Sequence, residues 1–227
     1  MANDILELIM ARHCKRAFLG KPVPREVLEA VLRAAAHAPS TRNNQPWGVA
    51  VLTGAAKEAL SRALCEDHDR GLPPKLDYAH RPAGTSPLLE ARAREAAVGL
   101  LRARGIDPGD EAGRRANHRD NFLFHGAPVE LIFHLPANAV AMTFLELGFF
   151  IQNVMLGLVG RGMASCPQSS VAGYPDTIRR HLGFGPDRII VCGMAVGYPD
   201  ENAPMNRFVP ERAGLEEYSQ WFEHGLP

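Results

Sequence analysis

The chain has no Cys-x-x-Cys pair. Cys14, Cys65, Cys166 and Cys192 are dispersed, which argues against a zinc ribbon or a disulfide scaffold and favours reduced thiols. Nine histidines show neither His-x-x-x-His nor His-x-His spacing, so no metal is expected. There is no P-loop and no Gly-x-Ser-x-Gly elbow. Gly183-Phe184-Gly185-Pro186 has too few glycines for a dinucleotide fingerprint and precedes a strand instead of following one. Nor is there an excess of charge: 25 Lys and Arg balance 25 Asp and Glu. That balance argues against a nucleic acid or an anionic membrane as the main partner, while leaving room for a local basic pocket. Met1-Ala2-Asn3-Asp4 leads directly into an amphipathic pattern, without the basic and apolar regions of a signal peptide, so a cytoplasmic location is expected. No internal repeat or low-complexity block occurs.

What is present reads as one globular α+β domain. Apolar residues make up 46% and charged residues 22% of 227, enough to bury a core. Asp4 and Glu7 have capping-box spacing ahead of a first helix running to about Arg12. Pro24 opens a second helix, with Val27, Leu28, Val31 and Leu32 on one face and Pro39 beyond its end. Strands are predicted over Trp47–Thr53, Pro128–Leu135, Met163–Cys166 and Arg188–Val196. Helices are predicted over Ala55–Asp67, Leu88–Arg104, Ala112–Phe122, Pro175–Leu182 and Leu215–Phe222. The Pro- and Gly-rich stretch Arg70–Pro87 is a connection, with a binding loop and disorder as its two readings. Ala139–Val159 is long and apolar enough to span a bilayer. Glu146, Gln152 and Asn153 inside it favour a helix buried in protein.

Two segments carry chemistry. Arg12-His13-Cys14-Lys15-Arg16-Ala17-Phe18 gathers cations at a helix end, where the helix dipole alone explains them. Ala38-Pro39-Ser40-Thr41-Arg42-Asn43-Asn44-Gln45-Pro46-Trp47 is a loop of small and amide side chains. Together they offer guanidinium groups for a phosphate and backbone donors for a flat polar ring. Their order and spacing resemble the FMN-dependent nitroreductase family, which carries an Arg-x-Ser-x-Arg/Lys cluster and a later Pro-Ser-x-x-Asn-x-Gln-Pro-Trp segment. Gly162-Met163-Ala164-Ser165-Cys166-Pro167-Gln168-Ser169-Ser170 is similar to the family's strand-to-loop turn. Gly197-Tyr198-Pro199-Asp200, followed by Pro204-Met205-Asn206-Arg207-Phe208, is similar to its C-terminal arm, so the resemblance spans almost the whole chain.

The resemblance implies a mixed, mainly antiparallel sheet flanked by helices, one domain over 1–227 with an arm from about 197, and a homodimer. The two FMN sites would be built from both subunits, with NAD(P)H as a diffusible reductant and a nitroaromatic or quinone-like acceptor following it on a ping-pong path. A flavin-dependent dehydrogenase, enone reductase or dehalogenase, or a non-catalytic flavin-binding protein, would share these motifs. Arg12, His13, Cys14 and Arg16 are implied at the FMN phosphate, ribityl chain and pyrimidine edge. Cys14 stands where the family usually has serine, a stronger donor. Pro39, Ser40, Thr41 and Asn43 would face the ring, as would Pro167, Gln168 and Ser169. The Ser169 N–H would meet flavin N5, unless this is an ordinary proline turn; no side chain is needed as a catalyst, because the flavin carries the hydride. Arg207, with Arg212 as substitute, would bring a cation to the phosphate, a surface arginine being the alternative. Asn121 and Phe124 are implied near flavin or substrate. Arg42 replaces a residue that is more often small, and either faces solvent or narrows the pocket toward anionic or nitro-bearing acceptors.

Overall fold

The computed structural model describes residues 4–80, 82 and 84–223. Met1–Asn3, read above for the absence of a signal peptide, lie outside the described residues, as do Arg81, Ala83 and the last four residues of the arm. Asp4 caps α1 (Ile5–Ala11) by accepting from the Leu6 N–H at 3.1 Å, a simple cap and not the capping box expected with Glu7. None of α1 is buried, and Ile5, Leu6, Ile9 and Met10 are exposed.

Four strands, β1 (Gly48–Thr53), β2 (Val129–Pro136), β3 (Ala164–Gln168) and β4 (Arg188–Gly197), form a sheet in the order β1-β2-β4-β3. Every pairing among the described residues is antiparallel. The central strand β2 is covered on both faces, which is why it is mostly apolar, with Val129, Leu131, Ile132, Phe133 and Leu135, although it also buries Glu130. β3 continues through Pro167 and Gln168, past the expected end at Cys166. An edge strand tolerates proline because it has one neighbour and its missing N–H need not break a ladder bond.

One face of the sheet packs on α2 (Arg25–Ala35) and α6 (Ala141–Val159). Their contact is built from Leu28, Val31 and Ala35 on α2 and Leu147, Phe150, Val154 and Leu158 on α6. Each such burial contributes about 1.5–3 kcal/mol for the larger side chains. The long apolar helix is thus a core element on one side, while Met142, Leu145 and Phe149 on it stay exposed. The opposite face packs on α3 (Gly54–Asp69) and α7 (Pro175–Leu182), together with Phe122 and Phe124. Between them lie α4 (Pro87–Ala103) and α5 (Glu111–Arg119), the latter ending earlier than expected because Phe122 turns into this second core with no exposure. The arm carries α8 (Pro204–Arg207) and a single 3-10 turn at Leu215–Glu217, in place of the helix expected over 215–222.

The start of the Pro- and Gly-rich connection is an ordered strap. Its Leu72 N–H donates to the Asp67 carbonyl at 3.1 Å, and Lys75 N–H to the Gly173 carbonyl at 2.8 Å. The Tyr78 hydroxyl donates to the Val191 carbonyl at 2.7 Å, and Asp77 pairs with Arg179 while accepting from the Ile190 N–H. Gly173 is the point of closest approach: a Cβ there would come within 2.8 Å of Pro74 Cβ. Gly173→Ala should therefore destabilise the protein by about 1–3 kcal/mol and expose residues 71–80 to protease. Urea midpoints and strap cleavage equal to those of the parent protein would show that the anchoring does not depend on this contact.

Candidate active site

The basic cluster is shaped by a residue that the motif reading passed over. Asn206 is fully buried; its Oδ1 accepts from the Arg16 N–H at 2.6 Å, and its Nδ2 donates to the Ala17 and Asp200 carbonyls at 2.7 and 2.9 Å. Its own carbonyl accepts from Lys15 Nζ at 3.0 Å and lies 3.3 Å from His13 Nε2. Lys15 also pairs with Glu201 at 2.9 Å. The other His13 ring nitrogen lies 2.9 Å from the Ala11 carbonyl, and a neutral imidazole has one N–H to donate to one of these two carbonyls. Arg207, next to Asn206, is exposed, and its Nε donates to the Glu201 carbonyl at 3.2 Å. Arg212 is exposed as well.

With Asn206 holding the segment, Lys15 N–H donates to the Ser165 carbonyl at 3.3 Å, which lays residues 14–16 along β3. Cys14 and Cys166 are thereby brought together. A hydrogen bond from the Cys166 thiol, with help from the charges of Arg16 and Arg12, pulls the Cys14 thiol down to about 6 against the upward effect of burial. Cys166 is pushed up by the same contact. Arg12 and Arg16 are the half-buried arginines that have no carboxylate partner among the described residues. Two such cations converging on one thiol make a cradle for an anion.

β3 leads from this cradle to the next group. Gln168 is buried and its Nε2 donates to the Asn121 carbonyl at 2.7 Å; its Oε1 is buried without a partner. Asn121 turns its own amide to the His118 carbonyl at 2.9 Å. Pro167 is half-buried in the strand, and Ser169 follows it, exposed, with no protein acceptor for its N–H outside the sheet ladder. Ser169 opens onto a cavity of about 600 Å³ between the strap and α5. Phe124 is nowhere on this surface. It is fully buried in the second core, so the expected substrate contact is corrected to a packing role.

The segment at 39–45 stands apart. Pro39, Ser40, Asn43 and Gln45 line a separate hollow of about 530 Å³, and no residue is shared with the first cavity. Arg42, Asn43 and Gln45 have φ of 55°, 57° and 47°, left-handed values that cost non-glycine residues about 1–3 kcal/mol each. Two contacts hold this shape: Ser40 Oγ accepts from the Gln45 N–H at 3.0 Å, and the buried Glu146 accepts from the Thr41 N–H at 2.7 Å. Glu146, which the sequence reading used only to argue against a membrane span, anchors the loop to α6. Arg42 is exposed and lines neither cavity within the single chain.

A model of the nitroreductase family matches residues 9–198. The chain belongs to the nitroreductase family. Over 225 residues it is 36% identical to a 4-nitrobenzoate reductase of Pseudomonas putida, covering 99% of this chain and 96% of that protein. It is 35% identical over 215 residues to a chloronitrobenzene nitroreductase of Comamonas testosteroni, covering 94% of each. Among solved structures, the FMN and NADPH-dependent nitroreductase NfnB from sphigopyxis sp. strain HMH superposes with a TM-score of 0.94 at 35% identity, covering 97% of this chain and 100% of that one.

The cradle gives a measurable signature for this nitroreductase family member. Iodoacetamide should label Cys14 with a rate that rises through a pH near 6, well under the value of about 8.5 for a free thiol. Arg12→Gln removes one of the charges that favour the thiolate, and the rise should move to higher pH. Labelling at Cys14, located by mass spectrometry, that begins only above pH 8 in the parent protein would contradict this electrostatic account.

Proposed function

We propose that this protein is an FMN-dependent oxidoreductase that uses NAD(P)H to reduce nitroaromatic acceptors. The carrying observation is the pair of half-buried arginines without carboxylate partners among the described residues, set one strand-length from a turn at Ser169 that lines a ligand-sized cavity. Arg12 and Arg16 hold the FMN phosphate and its adjoining edge, with Cys14 between them. Arg207 reaches the phosphate from the arm. Pro167, Gln168, Ser169 and Asn121 face the ring, and the Ser169 N–H points to N5. When bound, FMN supplies the two-electron carrier between reductant and acceptor. The chain's own residues bind, orient and exclude water around it. Because the cavity beside Ser169 serves both partners, NAD(P)H and the acceptor occupy it in turn.

The working unit is a homodimer located in the cytoplasm, with residues 1–227 as one domain. Pro39, Ser40 and Asn43 line a hollow separate from Ser169 within one chain, which supports their service, with the adjoining Thr41, to the partner's flavin. Exposed apolar side chains on α1, on the outer face of α6 and on the arm at Leu215, Tyr218, Trp221 and Phe222 support a large hydrophobic interface of the obligate kind.

One preparation tests these points together. Purified protein should release FMN on denaturation and run at about twice the chain mass of 24.8 kDa in light scattering. Anaerobic turnover of NADPH with a nitroarene should give parallel double-reciprocal plots, as expected when two substrates share one site in alternation. Arg12→Ala should weaken FMN binding by about 1.5–3 kcal/mol. A flavin-loaded monomer would defeat the shared-site architecture; intersecting plots would defeat the alternation.

A further inference from the structure

Similarity does not decide which nitroarenes this protein takes, since its relatives' names span an acidic substrate and a neutral one at nearly equal identity. The cavity beside Ser169 does. No Asp or Glu appears among its described lining residues. Its walls are aromatic: the ring centroids of His68 and His118 lie 5.1 Å apart, and those of Phe122 and Tyr174 5.4 Å apart. Phe122 joins the two pairs, at 5.1 Å from His68 and 5.5 Å from His118. A flat aromatic ligand fits such walls.

The lining also carries one arginine, Arg115 on α5. The nearby carboxylate that would neutralise it is already taken: Asp69 accepts a forked pair from Arg119, at 2.8 Å from both Nε and NH2. Arg115 donates instead to the Asp69 carbonyl at 3.2 Å and has no carboxylate partner among the described residues. His68 and His118 are both held below the usual imidazole range, chiefly by desolvation, so at neutral pH they contribute rings and not charge. Arg115 is thus the one Lys or Arg among the described lining residues of an aromatic-walled cavity, with Ser169 among the residues that close it.

Resting on the nitroreductase reading above, we propose that the preferred acceptors are nitroarenes bearing a carboxylate, with Arg115 as the specificity-determining residue that receives it. A planar guanidinium with unused donors accepts a carboxylate in a fork, which a neutral isostere cannot reproduce.

The test compares two acceptors of one shape, 4-nitrobenzoate and 4-nitrobenzamide, on FMN-loaded parent protein, Arg115→Gln and Arg115→Lys. The ratio of kcat/KM for the acid to that for the amide should fall about tenfold in Arg115→Gln, mainly through KM for the acid. Arg115→Lys should restore part of it, and added salt should weaken the parent's preference. Benzoate, which cannot be reduced, should bind the oxidised protein in calorimetry and lose affinity in Arg115→Gln. An unchanged ratio with an unchanged benzoate titration overturns the assignment. If neither nitroarene turns over but benzoate binds through Arg115, the nitroreductase reading fails and the anion site stands. Turnover of both acceptors without charge preference has the reverse meaning.

Discussion

The basic cradle of the candidate site depends on how the buried Asn206 carboxamide ties the arm to residues 13–17. It satisfies one N–H and two carbonyls while its own carbonyl takes Lys15. Backbone groups in an extended, unpaired segment are costly to bury, and a single side-chain amide can satisfy donor and acceptor demands at once. With the segment fixed, Lys15 aligns with Ser165, Cys14 meets Cys166, and the two arginines are held half-buried. Each step follows from the geometry of the one before it. Arg207 then stands close to the cradle because it is the next residue in the chain after the clasp.

A second constraint acts on the 39–45 loop. Three left-handed non-glycine residues within four consecutive positions would not persist without external support. The support comes from α6, where the buried Glu146 accepts the Thr41 N–H. A carboxylate is the stronger acceptor for that purpose, since hydrogen bonds to charged groups are worth about twice those between neutral ones. The same helix supplies the sheet-side core through Leu147, Phe150, Val154 and Leu158 and leaves an apolar outer face. Loop, core and exposed face are therefore mechanically one unit, so docking a second copy on α6 would also position the loop.

The fold was legible in the sequence wherever a single physical rule dominated. Amphipathic spacing found α2, clustered β-branched and aromatic residues found β2 and β4, and proline marked the ends of α2. The reading failed where tertiary context overrode local preference. Pro167 looked like the end of a strand, yet an edge position lets β3 run on to Gln168. Phe124 sat in a motif near the expected site, but motif position does not reveal which way a side chain turns, and it points into the core. The strap looked like a loop of uncertain order because its anchors, Gly173, Arg179, Ile190 and Val191, lie far away in sequence. Asn206 and Glu146 were passed over because hydrogen-bond partners separated by more than a hundred residues leave no local pattern.

Charge placement shows why the composition gave no hint of the site. A chain with net charge zero can still concentrate function in a few cations, provided that their neighbours' carboxylates are engaged elsewhere. Arg104 is paired with Asp120, Arg179 with Asp77 and Arg119 with Asp69, so these buried or half-buried cations are neutralised within the fold. Arg12 and Arg16 differ in being half-buried without such a partner, and desolvated charge of that kind is stabilised only when an anion arrives. Arg115 is the milder case, exposed and salt-screened, and so suited to reading a substrate that must also leave. On the proposed reading the two arrangements would divide retention from turnover: the desolvated pair would hold a resident anion tightly, while the exposed cation would discriminate among visitors without trapping them.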